Sequence, residues 1–440
     1  MKITLISYGC AKNLVDSEVM LGTLAEAGYA FTPDAAAADI LIVNTCGFIR
    51  PARDEADRAI RDALRLKRTR GPKSVVIAGC YVERDRAALA ARYPEVDLWL
   101  GVKDFDHIVP ALRGEPFRPG GRTFLYSHDS PRVLSTPRGW GYLKISEGCL
   151  HACAFCAIPA IKGPYRSRPV ESIVAEAQRL AERGVREINI ISQDTTAYGR
   201  DLGLKDGPAR LLRTLVGVEG VDWIRLLYGY PDEVDDALLE AMADPKVCRY
   251  LDIPFQHAHP DILRRMGRGL AGPRALRLLA KIRGALPGVA LRTSVIVGFP
   301  GEGRAEFEAL LRFVEEARFD HLGVFAYSME AGTPAAPLGD PVEASVKTRR
   351  KNALMERQAA VSLEANQNRV GQRFPVLFEG LRSGSAQRLI GRGPFQAPEV
   401  DGIIEAEAKS AHDAARLPGT IGQVEITAAD VYDLKGKIIE

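Results

Sequence analysis

The sequence predicts a multidomain α/β protein: an N-terminal parallel α/β domain, a central partial six-stranded parallel β/α barrel, and a C-terminal small antiparallel β-barrel of the OB-like kind. Three observations predict it. Apolar strand-like runs alternate with helical segments through residues 1–113, six further strand candidates separated by helices occupy residues 140–370, and short alternating runs between glycine-rich turns fill residues 371–440. The length agrees, since 440 residues at roughly 150 per domain give about three domains.

Composition removes several alternatives. With 46% hydrophobic and 26% charged residues the chain is neither mainly disordered nor fibrous. A balance of 59 Lys+Arg against 56 Asp+Glu, net +3, gives no global field for nonspecific binding to polyanions or membranes. No run approaches the ~20 apolar residues that span a bilayer. The start Met1-Lys2-Ile3-Thr4-Leu5 enters an apolar strand without a basic leader, so a mature cytoplasmic protein is expected. Seven cysteines, an odd number, argue against a disulfide framework and for thiolate chemistry or metal ligation.

In the first domain, strands are expected from Ile3 to Tyr8, Asp39 to Asn44 and Ser74 to Ala78, with helices from about Asn13 to Ala27 and about Ala52 to Leu66 and another after Ala78. Residues 114–139 dissolve into Pro, Gly and Ser and read as a linker. The barrel strands are expected at Tyr142 to Ile145, Glu187 to Ile191, Trp223 to Leu227, Tyr250 to Ile253, Leu291 to Val297 and His321 to Ala326. After Pro169, one helical face gathers Ile173, Val174, Ala177, Leu180 and Ala181, and Gly184 stops the helix. A polar helix from about Val342 to Arg369 precedes the last domain, whose strand candidates are Phe374 to Phe378, Ile403 to Ala406 and Gln423 to Ile426.

The sharpest chemical signal is Cys149-Leu150-His151-Ala152-Cys153-Ala154-Phe155-Cys156, directly after the first barrel strand. Three thiolates from one short loop hold three irons of a cubane and leave the fourth open to a chelating molecule. Barrel enzymes build their sites at that strand end. A zinc knuckle with His151 as fourth ligand is the alternative. Cys10, Cys46 and Cys80 each lie just past the carboxyl end of a strand in the N-terminal domain, the edge where parallel sheets bind ligands, and Gly9, Gly47 and Gly79 beside them permit close approach. Cys248 has no such companions and reads as core.

These residues carry a family resemblance. Gly9-Cys10-Ala11-Lys12-Asn13-Leu14-Val15-Asp16-Ser17-Glu18, Asn44-Thr45-Cys46-Gly47-Phe48-Ile49, Gly79-Cys80 and Lys144-Ile145-Ser146-Glu147-Gly148-Cys149 through Pro159 resemble the methylthiotransferases of the radical S-adenosylmethionine (SAM) superfamily over essentially the whole chain. Ser192-Gln193-Asp194-Thr195-Thr196, Leu251 through His257, Gln396 through Gly402 and Tyr432-Asp433-Leu434 resemble the branch that acts on an aspartate of the twelfth small-subunit ribosomal protein. Ala11 and Tyr8 depart from the usual proline and leucine, and neither removes a ligand.

The resemblance implies a TRAM domain at residues 371–440, two 4Fe-4S clusters, SAM and a low-potential electron donor. The cluster on Cys149, Cys153 and Cys156 would cleave SAM to a 5′-deoxyadenosyl radical, which abstracts hydrogen from the substrate carbon. The cluster on Cys10, Cys46 and Cys80 would hold the sulfur to be inserted at the aspartate β-carbon, and a second SAM would supply its methyl group. Phe155, Gln193, Ser294, Ile296, Gly298, Gly301 and Glu302 become SAM candidates, with Asp194 and Gln256 on the same rim. His257 and His259 alternate on a strand end and read as rim histidines rather than as a metal pair.

Arg166 and Arg168 are candidates to grip the substrate carboxylate. Residues 371–440 carry eight Lys/Arg and ten Asp/Glu, a net −2 that suits a basic ribosomal protein better than RNA. Glu399, Asp401, Glu405 and Glu407 are the expected docking carboxylates, with Glu405 and Glu407 at their centre. No membrane and no direct nucleic-acid substrate are expected. The competing readings are a tRNA adenosine methylthiotransferase and, from another class, a nonenzymatic RNA-binding metalloprotein.

Overall fold

The computed structural model describes residues 1–69, 71–121 and 123–439. Its contacts divide the chain into two compact units. The first comprises residues 1–135, 144–173 and 328–336, and the second residues 136–143, 174–327 and 337–440.

The first unit is built on a parallel sheet of β1 (Lys2–Ser7), β2 (Ala30–Phe31), β3 (Ile40–Thr45), β4 (Ser74–Gly79) and β5 (Leu98–Leu100), in the order β2-β1-β3-β4-β5. The central β3 is buried along its whole length because both faces are covered. Ile40 and Ile42 pack with Ile3, Met20 and Val76 on one side, and Leu41 and Val43 with Ile60, Leu64 and Ile77 on the other. Helix α1 (Ala11–Glu26) starts two residues earlier than the periodicity suggested, which makes Cys10 its N-cap. Helix α2 (Arg50–Thr69) buries one stripe, Ala56, Ile60, Ala63 and Leu64, and α3 (Cys80–Arg92) begins on a cysteine.

The expected linker is a packed strap in its first-unit part. Prolines and glycines deny it regular structure without denying it burial. The buried Glu18 carboxylate accepts from Arg132 Nε at 2.8 Å and Nη2 at 2.6 Å and from the Ser135 amide at 2.7 Å. Gly22 on α1 admits the strap, since a Cβ there would stand 2.3 Å from the Pro131 carbonyl.

The chain continues through β6 (Trp140–Lys144), a small antiparallel ribbon of β7 (Ser146–Glu147) and β8 (Arg166–Ser167), then β9 (Glu187–Ile191), β10 (Trp223–Leu226), β11 (Val247–Asp252), β12 (Ala290–Val297) and β13 (His321–Ala326). These last five and β6 form one six-stranded sheet, ordered β13-β12-β11-β10-β9-β6 with intervening helices, the partial barrel the sequence predicts. The long polar helix is Ala344–Gln367. The C-terminal region closes a five-stranded barrel of β14 (Arg373–Leu381), β15 (Arg388–Arg392), β16 (Ile404–Glu407), β17 (Ile421–Ala429) and β18 (Leu434–Ile438). It is not wholly antiparallel as expected: β16 and β18 run parallel, with Ile404 opposite Leu434.

The end of β15 and the loop from it to β16 supply a floor to the six-stranded sheet inside the second unit. Every strand of that sheet sends it one side chain. Tyr142 donates to Glu399 at 2.7 Å, Glu187 pairs with Arg392 at 2.6 Å, and Arg225 donates to the Pro394 carbonyl at 2.8 Å. Tyr250 donates to Asp401 at 2.7 Å, Arg292 Nε lies 3.4 Å from Asp401, and His321 Nε2 lies 3.0 Å from the Phe395 carbonyl. Glu187 stays below the usual carboxylate range: burial alone would raise its pKa, but Arg392 and Arg225 outweigh that.

Candidate metal and cofactor-binding site

Strand ends bring the first three cysteines together. Cys10 caps α1, Cys46 follows β3, and Cys80 opens α3. Gly9 has φ +100°, and a Cβ there would fall 2.8 Å from Cys46 Cβ and 3.4 Å from its Sγ. Gly47 lies against the α3 start, 2.6 Å from Tyr81 Cα on the same measure. Only glycine fits either place. Asn44 Nδ2 donates to Ser17 Oγ at 2.8 Å and to the Asn13 carbonyl at 3.1 Å, fixing β3 to α1 beside the thiols. Burial pushes the Cys46 and Cys80 thiols up, and the charges of Cys10 and, for Cys80, of Cys46 push the same way. Their mutual effect places the three within electrostatic reach of one another.

The second trio sits on the loop after β7. The His151 amide donates to Cys149 Sγ and the Ile158 amide to Cys156 Sγ, each at 3.4 Å. The Phe48 amide does the same for Cys46, opposing the rise in its pKa. Amide donors two residues on, aimed at sulfur, stabilise thiolate charge and set the potential of iron–sulfur clusters, so these donor sets fit that group. Among the described residues no three His, Cys, Asp or Glu side chains converge as one ion would require. A cubane asks for something different, a thiolate on each of three separate irons.

Both trios belong to the first unit, and a buried ring of charge ties their segments together. Lys144 Nζ donates to Asp16 and, at 2.8 Å, to Glu147, while Lys162 Nζ lies 3.1 Å from Asp16 and 3.4 Å from Glu147. Asp16 is on α1, and Lys162 ends the short helix Ile158–Lys162 that follows Cys156. Burial opposes the charge on both lysines, but Asp16 and Glu147 outweigh it and raise both pKa values. Removing one member strands the others in low dielectric. Lys162→Met should therefore cost about 3–5 kcal/mol, read as a lower urea midpoint with an unchanged slope. A loss under about 1 kcal/mol would mean that the ring is solvated.

A second clasp was invisible in the sequence. Glu330 is held by Arg53, by Arg84 at 2.9 Å, by Ser328 Oγ at 2.7 Å and by the Arg50 amide at 2.8 Å. Arg84 Nη1 also donates to the Gly47 carbonyl at 3.0 Å, gripping the loop that carries Cys46. The partners lie more than two hundred residues apart, and no local pattern marks them.

In the second unit the SAM candidates divide. Ser294 and Ile296 share one face of β12, and Gln193 is half-buried after β9. Phe155, in the first unit, is half-buried on the cysteine loop. Glu302 is turned inward: it accepts from the Gly298 amide at 2.9 Å and from Arg350 Nη1 at 2.5 Å, and lies 3.2 Å from His257 Nε2. It locks the 298–302 turn with a buried carboxylate rather than facing open space. The two glycines reflect crowding, since a Cβ on Gly298 would stand 2.4 Å from Lys347 Cγ and one on Gly301 1.6 Å from Arg265 Nη1. His257 Nδ1 accepts the His259 amide at 3.0 Å, so Nε2 carries the proton toward Glu302. Tyr228 and Gln256 hold left-handed backbones, φ +63° and +70°, just past β10 and β11. Strain of this kind, of order 1–3 kcal/mol, persists where surroundings over-determine it. Here Gln256 bridges Ser294 and Ile296 through bonds of 2.9 and 2.7 Å.

The substrate candidates fare unevenly. Arg168 is buried, donates to the Lys144 carbonyl at 2.9 Å and to the Ser172 carbonyl and hydroxyl at 3.1 and 3.0 Å, and stacks 4.4 Å over Tyr126. It braces the core and cannot reach out to a carboxylate. Arg166 stays half-exposed on β8. The four carboxylates do not form one docking cluster: Glu399 and Asp401 belong to the barrel floor, and Glu405 is paired with Arg382 and, at 3.0 Å, Arg388. Glu399 and Glu407 are exposed, but Glu399 already accepts from Tyr142, which leaves Glu407 as the exposed carboxylate with no such bond among the described residues.

Family models match most of the chain: "Uncharacterized protein family UPF0004" over residues 2–101, the radical SAM superfamily over 143–314 and the TRAM domain over 370–439. Among curated relatives, ribosomal protein uS12 methylthiotransferase RimO of Trichlorobacter lovleyi is 45% identical over 446 residues, covering 100% of this chain and 98% of that protein. RimO of Anaeromyxobacter sp. (strain K) is 46% identical over 442 residues, covering 100% and 93%. Among solved structures, the radical SAM methyltransferase TsrM from Kitasatospora setae superposes with a TM-score of 0.57 at 15% identity, covering 76% of this chain and 74% of that one, a likeness of fold alone.

Proposed function

The chain belongs to the RimO family of radical SAM methylthiotransferases, and from that premise we propose that it inserts sulfur and a methyl group at the β-carbon of an aspartate in ribosomal protein uS12. The observation that carries the reading is the pair of cysteine trios, each with amide donors aimed at sulfur, in a chain aligned end to end with those enzymes. A binding module needs neither trio. The relatives give no support to the tRNA reading.

Cys149, Cys153 and Cys156 would hold one 4Fe-4S cluster, and Cys10, Cys46 and Cys80 the other. When bound, these groups with SAM supply the one-electron chemistry that an unactivated C–H bond requires. The protein's own residues fix the ligands: the Lys144–Asp16–Glu147–Lys162 ring joins α1 to the cysteine-loop segment, and Arg84 with Glu330 holds the Cys46 loop. Within the second unit, Ser294, Ile296, Gln193 and the Gly298 and Gly301 backbone are the proposed contacts for SAM. The proposed reaction calls for a low-potential electron donor, and a ribosomal substrate supports a cytoplasmic location. Among the described residues no helix is long and apolar enough to cross a membrane. We keep residues 1–113, 140–370 and 371–440 as the functional modules.

The test is anaerobic incubation of the cluster-loaded protein with SAM, a reductant and purified uS12, followed by peptide mass spectrometry. A methylthio group on one aspartate is expected. Its absence from uS12 together with a methylthio-adenosine in a parallel tRNA reaction would overturn the substrate.

Glu407 is an exposed carboxylate of the expected docking set that is not tied to the barrel floor. Glu407→Lys should weaken association with uS12 by roughly two- to fivefold, an effect that shrinks as salt rises. Unchanged association at low salt would remove this residue from the interface.

A further inference from the structure

The face of β12 that carries Ser294 and Ile296 also carries an arginine that is only partly committed. Leu291, Thr293, Val295 and Val297 are buried on the other face, whereas Arg292 and Ser294 are half-buried. Opposite them in register on β13 stand His321, Gly323 and Phe325. Phe325 is 49% exposed within the strand, so this face looks onto open space rather than onto packed core.

One corner of the Arg292 guanidinium is hydrogen-bonded and a second stands at ion-pair distance from a carboxylate. Nη1 donates to Asp252 Oδ1 at 3.1 Å, and Nε lies 3.4 Å from Asp401 Oδ1, an oxygen of the barrel floor. Asp401 is itself fixed by the Tyr250 hydroxyl and by the Ala397 amide at 2.8 Å. Nη2 has no hydrogen-bond partner among the described residues. It lies 3.7 Å from where a Cβ on residue 323 would be, and the glycine leaves that place empty. Burial opposes the charge, but Asp252, Tyr250 and Asp401 outweigh it and raise the pKa, so the group is a permanent cation.

We propose that Arg292 receives the side-chain carboxylate of the target aspartate, with Nη2 donating to it in the gap left by Gly323. The assignment rests on the uS12 reading above and deepens it. A carboxylate leaving water needs a cation with free donors, because an unpaired buried charge is costly. Arg168 cannot serve, since it is spent on Lys144, Ser172 and Tyr126. Asp252 and Asp401 answer the charge of the guanidinium, so selection falls on Nη2: a carboxylate forms a charge-assisted bond there that a neutral amide matches only weakly. The C-terminal domain thus enters recognition by presetting the arginine through Asp401.

The experiment uses full-length, cluster-loaded protein and two synthetic peptides spanning the uS12 target, one with the natural aspartate and one with asparagine. Binding is read by fluorescence anisotropy and product by mass spectrometry. The wild type should prefer the aspartate peptide by roughly tenfold to a hundredfold. Arg292→Gln should bring that preference to within about twofold by weakening the aspartate peptide.

Because Arg292 also braces the floor, Gly323→Ala is the second variant. It keeps every ion pair and narrows the space the carboxylate would enter, with Phe325 Cε2 and Ser294 Oγ each 3.3 Å from the new methyl and shifting to admit it, so it should weaken the aspartate peptide in a protein that still folds. Wild-type discrimination retained in either folded variant overturns the assignment of Arg292 alone. A wild type that neither binds nor modifies either peptide overturns the uS12 reading itself, and the assignment with it.

Discussion

Replacing Cys153 with alanine drops 5′-deoxyadenosine formation to the level of a mixture without enzyme, the largest effect expected of any single change in this protein. Cys153 is the buried middle ligand of its loop, flanked by Cys149 and Cys156, whose sulfurs each accept a backbone amide. Two thiolates cannot hold three irons of a cubane, and the cluster that the three would hold is the one that would supply the electron for SAM cleavage. The measurement is anaerobic chromatography of 5′-deoxyadenosine with dithionite as reductant, beside iron and acid-labile sulfide analysis. Iron should fall to about half of the wild-type content, since the Cys10, Cys46 and Cys80 set is untouched. Normal 5′-deoxyadenosine formation by a folded Cys153→Ala protein would sink the cluster assignment.

Cys46→Ala separates the two halves of the reaction. Methylthiolated product disappears, while SAM cleavage persists to within a few-fold of wild type, because the second trio is intact. Cys46 is the right position to change. It is half-buried, its sulfur accepts the Phe48 amide, and Gly9 and Gly47 lie close against its loop. Arg84 continues to hold the Gly47 carbonyl, which preserves the fold. Full methylthiolation by this variant would show that sulfur is held elsewhere, and loss of SAM cleavage as well would show that the two sites cannot work independently.

Much of the fold was legible because strand burial and loop chemistry are local. The run Ile40–Thr45 is apolar enough to be a doubly covered strand wherever it lands, and six alternating βα units leave a parallel sheet as the natural outcome. The cysteines were legible for the same reason. Cys149, Cys153 and Cys156 declare themselves by spacing, and Cys10, Cys46 and Cys80 by their equivalent places after strands, where parallel topology forces convergence. The parallel pairing of β16 with β18 was not legible, since strand direction within a small barrel follows from how it closes rather than from alternation.

What only the tertiary structure decided is which charges are spent and which are free. Sequence alone offered Arg168 and Glu302 as ligand contacts and Glu399, Asp401 and Glu405 as an open acidic face, because polar residues near a motif default to the surface. The structure commits each of them. Arg168 is fixed by Lys144 and Ser172, Glu302 by Gly298 and Arg350, and Asp401 by Tyr250. Conversely, nothing local singles out Arg292 within its strand, and only the register with β13 sets its Nη2 beside Gly323. The physical reason is that covalent order and periodicity set where a backbone goes. The fate of a charge depends on partners tens or hundreds of residues away, and on whether burial leaves it any choice but to pair.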